Sequence, residues 1–200
     1  MKKKNNELNV KKSLLESGIS LFTEKGYAST SVREIVERAG VSKPVLYYYF
    51  KNKEGLFHAI LNRTLREQEA MLAEVLEATG SCLERMILLF RRIHERMHEN
   101  QDLPKMIHNL IFGPPQGAPD YDLEQYHQRM VEVIKVIYLD GLEKQEVEKA
   151  DPEEVAFLAL GLFGICFHLD QAQQESFDPE RPVRLLQMAF KGLDRKKTGE

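Results

Sequence analysis

Two groups of residues in this 200-residue chain have the types and spacing to do chemistry. The first is His94-Glu95-Arg96-Met97-His98. Two imidazoles four apart share one face of a helix, and the glutamate beside them could act as general base for a zinc-bound water. The second is Lys43-Pro44-Val45-Leu46-Tyr47-Tyr48-Tyr49-Phe50. One amine and three phenols on a short segment can donate to phosphate oxygens, while their flat apolar parts can meet base edges and thymine methyls.

The zinc pattern lacks context. Position 101 is Gln and position 104 is Pro, where the extended metzincin form needs Gly and His. No glycine-rich phosphate loop and no nucleophile–histidine–acid set can be assembled from the rest of the chain. The expectation is therefore a protein that is not an enzyme, with no catalytic residues, no cofactor and no metal. A metal-responsive regulator using His94/His98 is the alternative, and a His-Glu-x-x-His zinc hydrolase stands behind it.

The tyrosine segment sits in a closely punctuated run of helices. Leu14, Leu15, Gly18, Ile19 and Phe22 recur at helical spacing, and Gly26 follows as a stop. Ser31-x-x-Glu34 is a capping box, in which each side chain satisfies a backbone N–H of the other residue. The short helix it opens carries Ile35, Val36 and Ala39 on one face and ends at Gly40. Ser42 can cap a third helix, Lys43 to Phe50, with Pro44 tolerated in the first turn. Two short helices joined by Ala39-Gly40-Val41 make a helix-turn-helix. Ile35, Val36, Ala39, Val41, Leu46 and Phe50 then face the first helix, which leaves Lys43, Pro44, Tyr47 and Tyr48, with Tyr49 beside them, on the open side.

Beyond this head the sequence reads as helix nearly throughout. Asn52 caps a fourth helix from Lys53 to about Ala78. Further helices span Cys82 to Glu99, Leu103 to Phe112, Tyr121 to about Glu146, a stretch opened by Asp151-Pro152-Glu153-Glu154, and Pro179 to Asp194. Gly113-Pro114-Pro115-Gln116-Gly117-Ala118-Pro119 is the conspicuous loop. With no strand alternation, the expected fold is all-α, about nine helices. Residues 1–52 would form a helix-turn-helix DNA-binding domain, and residues 53–200 a ligand-binding and dimerisation domain that begins with the long connecting helix.

Charge supports that division. Residues 1–63 hold 12 Lys/Arg against 6 Asp/Glu, whereas residues 64–200 hold 16 against 25. A cationic head on an acidic body suits an anionic partner. Cys82 and Cys166 cannot make a disulfide framework, the lysine-rich start has no apolar core, and Val155 to Phe167 is too short to span a bilayer. A cytoplasmic protein with no membrane partner is expected. Lys2 to Lys4 read as a solubilising tail, with a minor-groove arm as the alternative.

Two stretches carry a family resemblance. Phe22-Thr23-Glu24-Lys25-Gly26-Tyr27-Ala28-Ser29-Thr30-Ser31-Val32-Arg33-Glu34-Ile35 and Ala39-Gly40-Val41-Ser42-Lys43-Pro44-Val45-Leu46-Tyr47-Tyr48-Tyr49-Phe50-Lys51-Asn52-Lys53-Glu54 resemble the N-terminal segment of tetracycline-repressor-like (TetR family) regulators. The resemblance covers about residues 8–60. One departure is Tyr49, where many members carry histidine. The resemblance implies a ligand-responsive transcriptional regulator, most simply a homodimeric repressor released from a palindromic operator by a small apolar or amphipathic effector. It implies phosphate contacts from Ser31 and Arg33, a recognition helix bearing Lys43, Pro44, Tyr47, Tyr48 and Tyr49, and a backbone contact from Lys53. A head that binds another protein instead is the rival reading.

One short helix reads only a few base pairs, so a symmetric operator needs two copies. The helix Val155 to Phe167 is apolar all round and must be covered on every side. The expected dimer surface is Ala156, Ala159, Leu160, Phe163, Gly164 and Phe167 with Val183, Leu186 and Phe190 from the last helix. Met and Phe residues on facing body helices are adaptable linings for an apolar effector. The expected pocket is Met86, Phe90, Met97, Met106, Ile111, Phe112, Ile134, Ile137, Tyr138 and Phe163, with His108, Asn109 and His168 as polar anchors.

Overall fold

In a computed structural model, residues 2–173, 178 and 180–191 are described. They form nine α-helices: α1 (Lys2–Lys25), α2 (Val32–Arg38), α3 (Lys43–Phe50), α4 (Lys53–Glu77), α5 (Cys82–Glu99), α6 (Asp102–Phe112), α7 (Glu124–Glu143), α8 (Pro152–Gln173) and α9 (Glu180–Lys191). The all-α expectation holds, and helix limits agree with the sequence reading to within a few residues. The largest differences are at α7, which starts later and ends sooner than its apolar pattern, and at the N-terminus. There the backbone is helical from Lys2, where a tail was expected. The α9 pattern was expected to reach Asp194, and residues 192–200 lie outside the described residues.

The local signals act through identifiable bonds. Gly26 closes α1 with φ +80°, its N–H donating to Phe22 O at 3.0 Å. Gly40 takes φ +67° in the helix-turn-helix corner, where a Cβ would be strained, and Val41 N then donates to Val36 O. Asn52 Oδ1 accepts from Gly55 N at 2.6 Å, and Asp151 Oδ1 accepts from Glu153 N and Glu154 N. Ser42 corrects one expectation: it sits at the N-cap of α3 with an extended backbone, yet its side chain makes no capping bond. Pro44 at the helix start removes one of the donors such a cap would serve.

The chain divides into two compact units. The first comprises residues 1–67 and 97–123. Its core is Leu14, Ile19 and Phe22 of α1, Ile35 and Val36 of α2, Leu46 and Phe50 of α3, and Leu56, Phe57 and Ile60 of α4, all buried. Phe22, Tyr27 and Phe57 form an aromatic trio with ring centroids 5.1–5.8 Å apart. Gly18 lets α4 approach α1, since a Cβ there would meet Leu56 Cδ2 at 3.0 Å. Helix α6 also packs on α1. Each such Leu, Ile or Phe contributes about 1.5–3 kcal/mol by leaving water, whereas an exposed ion pair contributes about 0.2–1 kcal/mol. The apolar core therefore sets the arrangement and surface charges trim it.

The second unit comprises residues 68–96 and 124–200. Here α7 packs on α8 and α8 on α9, and Phe90 of α5 meets Phe163 of α8 edge-on at 5.4 Å. Arg85 is buried and donates to Asp140 Oδ2 at 2.8 Å and to Leu76 O at 3.0 Å. At Gly141 a Cβ would come within 2.5 Å of Cys82 Cβ, so only glycine lets α7 close on the start of α5. The boundary between the compact units falls within α4, after residue 67. The fourth helix is continuous across the division, because nothing in Lys53–Glu77 breaks it, and α6 joins the N-terminal unit through its packing on α1.

Candidate nucleic-acid interface

The helix-turn-helix buries one side and presents the other. On α3, Leu46 and Phe50 are four apart and buried, which turns Lys43, Pro44, Tyr47 and Tyr48 outward. Tyr48 is 79% exposed and Tyr47 48% exposed, a high value for large aromatic side chains in a folded domain. Tyr49 is half-buried, its ring edge-on to Tyr48 at 5.0 Å and tilted against Phe50 at 6.2 Å. The open face of α3 thus offers one ammonium and two phenols at helical spacing.

Helix α2 supplies the neighbouring polar edge. Ser31 caps it in both directions of the capping box: Glu34 N donates to Ser31 Oγ at 3.3 Å, and Ser31 N donates to Glu34 Oε2 at 2.9 Å. Arg33 is exposed, with Nε donating to Glu37 Oε1 at 2.6 Å, an i,i+4 pair that a phosphate can replace at little cost. Ser31 and Arg33 therefore stand exposed at the positive end of α2, the Ser31 hydroxyl itself donating to Glu34 Oε2 at 2.7 Å.

Lys53 is placed differently from its expected role. Its ammonium is partly buried, donates to Tyr27 O and Thr30 O at 2.8 Å each, and lies 4.0 Å from the Tyr27 ring centroid. Burial pulls its pKa below the ordinary lysine value. The charge holds the α1–α2 turn from within. Thr30, also buried, donates its hydroxyl to Gly26 O at 2.8 Å, with Leu21 O 3.2 Å from the same oxygen. The Tyr27 and Thr30 carbonyls meet Lys53 only when α4 folds back on the turn, a contact that local sequence does not signal.

Ion pairs tie α2 to α1. Arg38 Nη2 donates to Glu24 Oε2 at 2.9 Å, and Lys25 pairs with Glu34. The Lys25 ammonium, then the Ser31 hydroxyl and backbone N–H, hold the Glu34 carboxyl down at about 2, from an ordinary 4.5. A carboxylate with a depressed folded pKa stabilises the fold fully above its unfolded value and loses that contribution as pH falls to the folded value. The start of α2 is accordingly expected to loosen between about pH 4.5 and 2. Circular dichroism of wild type against Glu34→Gln checks this. The variant should start less stable at neutral pH and show a flatter acid dependence, and parallel curves would refute it.

The other expected sites divide between the units. Of the pocket residues, Met86, Phe90, Ile134, Ile137, Tyr138 and Phe163 are buried in the second unit and His168 is exposed there. Met97, Met106, His108, Asn109, Ile111 and Phe112 belong to the first unit, where Met106 is buried and Phe112 is 70% exposed. Tyr138 is a structural latch: its hydroxyl accepts from Ala150 N at 2.6 Å and donates to Glu148 O at 2.8 Å, pinning the chain before α8. The residues expected at a dimer surface, Ala156, Ala159, Phe163, Phe167, Val183, Leu186 and Phe190, fill the second unit's own core, Leu160 is half-buried and Gly164 is exposed. The outward face of α8 instead carries Phe157, Leu158, Gly161, Gly164 and Ile165. On α5, Glu95 accepts from Arg92 at 2.8 Å, and the His98 side chain lies outside the described residues. Among the described residues no group of three metal-ligating side chains gathers, and no helix is long and apolar enough to cross a membrane.

Comparison with known proteins agrees with this geometry. Residues 14–60 match the family described as bacterial regulatory proteins, tetR family. The chain is 28% identical to the HTH-type transcriptional regulator YhgD of Bacillus subtilis (strain 168) over 194 residues, covering 92% of this chain and 96% of that protein. It is 27% identical to YvkB of the same organism, over 78% of this chain and 81% of that one. Among solved structures, a Clostridium perfringens regulator assigned to fatty acid metabolism superposes with a TM-score of 0.77 at 22% identity, covering 90% of this chain and 98% of that one. FadR of Bacillus subtilis in complex with stearoyl-CoA superposes with a TM-score of 0.71 at 16% identity, covering 90% and 98%. At these identities the structural likeness shows the fold.

Proposed function

We propose that this chain, a DNA-binding transcriptional regulator of the TetR family, is a homodimeric repressor that reads a palindromic operator and leaves it when a small apolar or amphipathic effector binds. The observation that carries the reading is the open face of α3. Tyr47 and Tyr48 are exposed at the centre of a helix whose other face is buried, and the Ser31 and Arg33 side chains are exposed on α2. Aromatic rings held in water have no packing purpose in the monomer, and their size suits a major groove. In this reading residues 1–52 carry operator recognition, and residues 53–200 carry effector binding and dimerisation.

Support for two copies comes from α8. Phe157, Leu158, Gly161, Gly164 and Ile165 recur at helical spacing as one solvent-facing stripe, and a Cβ at either glycine would meet nothing within 4 Å. An exposed apolar stripe of this kind supports an interface with a second copy. The effector class rests on the apolar residues gathered along α5, α7 and α8, and on solved relatives of the same fold that hold stearoyl-CoA and triclosan. Helix α4 runs from one compact unit into the other, so a ligand that tilts it changes the spacing of the two heads.

Selection of duplexes from a random-sequence pool tests the proposal. The expected outcome is an inverted-repeat sequence whose binding weakens steeply with salt, each neutralised phosphate contributing about −0.9 to the logarithmic slope. Native mass spectrometry of the same preparation should show a dimer. Enrichment of no sequence would overturn the operator reading, and a monomer at micromolar concentration would overturn the two-headed mechanism.

A further inference from the structure

The loop after α6 reaches back to the DNA-reading head. Ala28 N, in the turn between α1 and α2, donates to Gln116 O at 3.1 Å across 88 residues of sequence. Two glycines with positive φ flank the approach. Gly26 has φ +80° and a Cβ there would stand 3.2 Å from Gln116 Oε1, while Gly117 has φ +62° and a Cβ there would stand 3.4 Å from Ala28 Cβ. Both ends of the connection are anchored within the same compact unit. Upstream, Gly113 N closes α6 on Asn109 O, and Asp102 O at the start of α6 lies 3.0 Å from Thr23 Oγ1 of α1, which shares its proton with Ile19 O at 2.8 Å. Downstream, Tyr121 donates to Asn62 Oδ1 of α4 at 3.0 Å and lies against the His58 ring at 5.9 Å.

The turn so held ends one residue before the α2 N-cap. Thr30 N donates to Tyr27 O, making a four-residue turn with Ala28 in its second position, and Ser31 follows directly. Pro114, Pro115 and Gln116 carry no charge that would attract a phosphate, so the segment does not extend the anionic contact surface. Its polar reach is inward, to a backbone N–H that the turn leaves free.

We propose that residues 113–117 form a strap whose Gln116 carbonyl positions the α1–α2 turn, and through it Ser31 and Arg33, for phosphate contact. The inference rests on the reading of the head as the DNA-binding surface. The strap makes α6 part of the head: a shift of α6 alters the entry of α2 directly, by a route separate from α4. Gln116 acts as a positioning residue through its main chain, and no contact of its own with DNA is required.

Two variants test it against a duplex selected by the wild-type protein. Ala28→Pro suits the second position of the turn, where proline is favoured, while deleting the N–H that meets Gln116 O. It should lower affinity about tenfold, one hydrogen bond being lost in each head. It should also flatten the logarithmic salt dependence by about one unit per lost phosphate contact, with helical content unchanged. The pair Ala28→Cys with Gly117→Cys places its Cβ atoms at the short edge of disulfide range. Oxidised, it should bind as wild type. Reduced, with the strain of a side chain at φ +62°, it should fall towards the Ala28→Pro value. Wild-type affinity and salt slope in Ala28→Pro, or equal binding by the oxidised and reduced pair, would overturn the strap. Should Ala28→Pro lose helical content, the cysteine pair decides alone. Failure of the wild-type protein to select any duplex would instead remove the DNA-binding premise, and the strap with it.

Discussion

Phe157→Glu is expected to abolish the proposed dimer, leaving a monomer at micromolar concentration. Phe157 is 53% exposed at the head of the solvent-facing stripe on α8, so the isolated chain loses little when it is changed. In a two-fold interface each substitution appears twice, and each places an unpaired carboxylate where an aromatic ring was to be covered. Central aromatic anchors are worth about 2 kcal/mol or more apiece, so the dissociation constant should rise about a thousandfold. Sedimentation equilibrium reads the change directly. Phe157→Leu serves as the comparison that keeps the apolar stripe and the dimer. The glutamate variant should also lose inverted-repeat binding, since one head alone reads only half the site. A glutamate variant that stays dimeric would place the interface elsewhere.

Tyr47→Ala is expected to weaken binding to the selected duplex by about 1–3 kcal/mol, roughly one to two powers of ten, with fold and dimer unchanged. The reasoning is positional. Leu46 and Phe50 take up the buried face of α3, so truncating Tyr47 opens no cavity. Its 48% exposure in the free protein means the lost interaction is with the partner. The discriminating measurement is the same substitution against random duplex. A loss confined to the selected sequence identifies Tyr47 as a base reader, and an equal loss on both makes it a phosphate anchor. Unchanged binding to both would remove α3 as the recognition helix. Lys43→Ala is the natural companion, because Lys43 sits one helical turn earlier on the same exposed face.

The contrast between the two ends of the chain is instructive. In the head, three short-range signals coincide with their bonds, the Ser31–Glu34 capping box, the Gly26 stop and the Gly40 corner, while the Ser42 cap does not. Those signals act over three to five residues, so local sequence carries them whole. Family likeness is dense in the same place, residues 14–60, because a surface shaped to the constant geometry of DNA leaves few alternatives. Lys53 shows the limit even there. A lysine at the start of a helix reads equally well as a surface donor, and only the return of α4 onto the turn brings Tyr27 O and Thr30 O to its ammonium.

In the body the sequence states composition without direction. Helix α8 is apolar around its circumference, so no hydrophobic face distinguishes inside from outside, and the side to be buried is settled by packing against α7 and α9. That packing takes Ala156, Ala159, Phe163 and Phe167 inward and leaves Phe157, Leu158 and Ile165 in solvent. The same holds for Tyr138, whose hydroxyl finds its partners only when the chain before α8 folds back over α7.

The sequence by itself determined the helical class, the helix limits to within a few residues, the helix-turn-helix and the exposed face of its third helix. Each of these follows from periodicity and from capping bonds between near neighbours. Tertiary structure alone decided which side of α8 meets water, where the Lys53 charge is held, that α6 packs with the head, and that Gln116 closes on the α1–α2 turn. Those are contacts between residues tens of positions apart, and their energies depend on which surfaces the compact chain brings together.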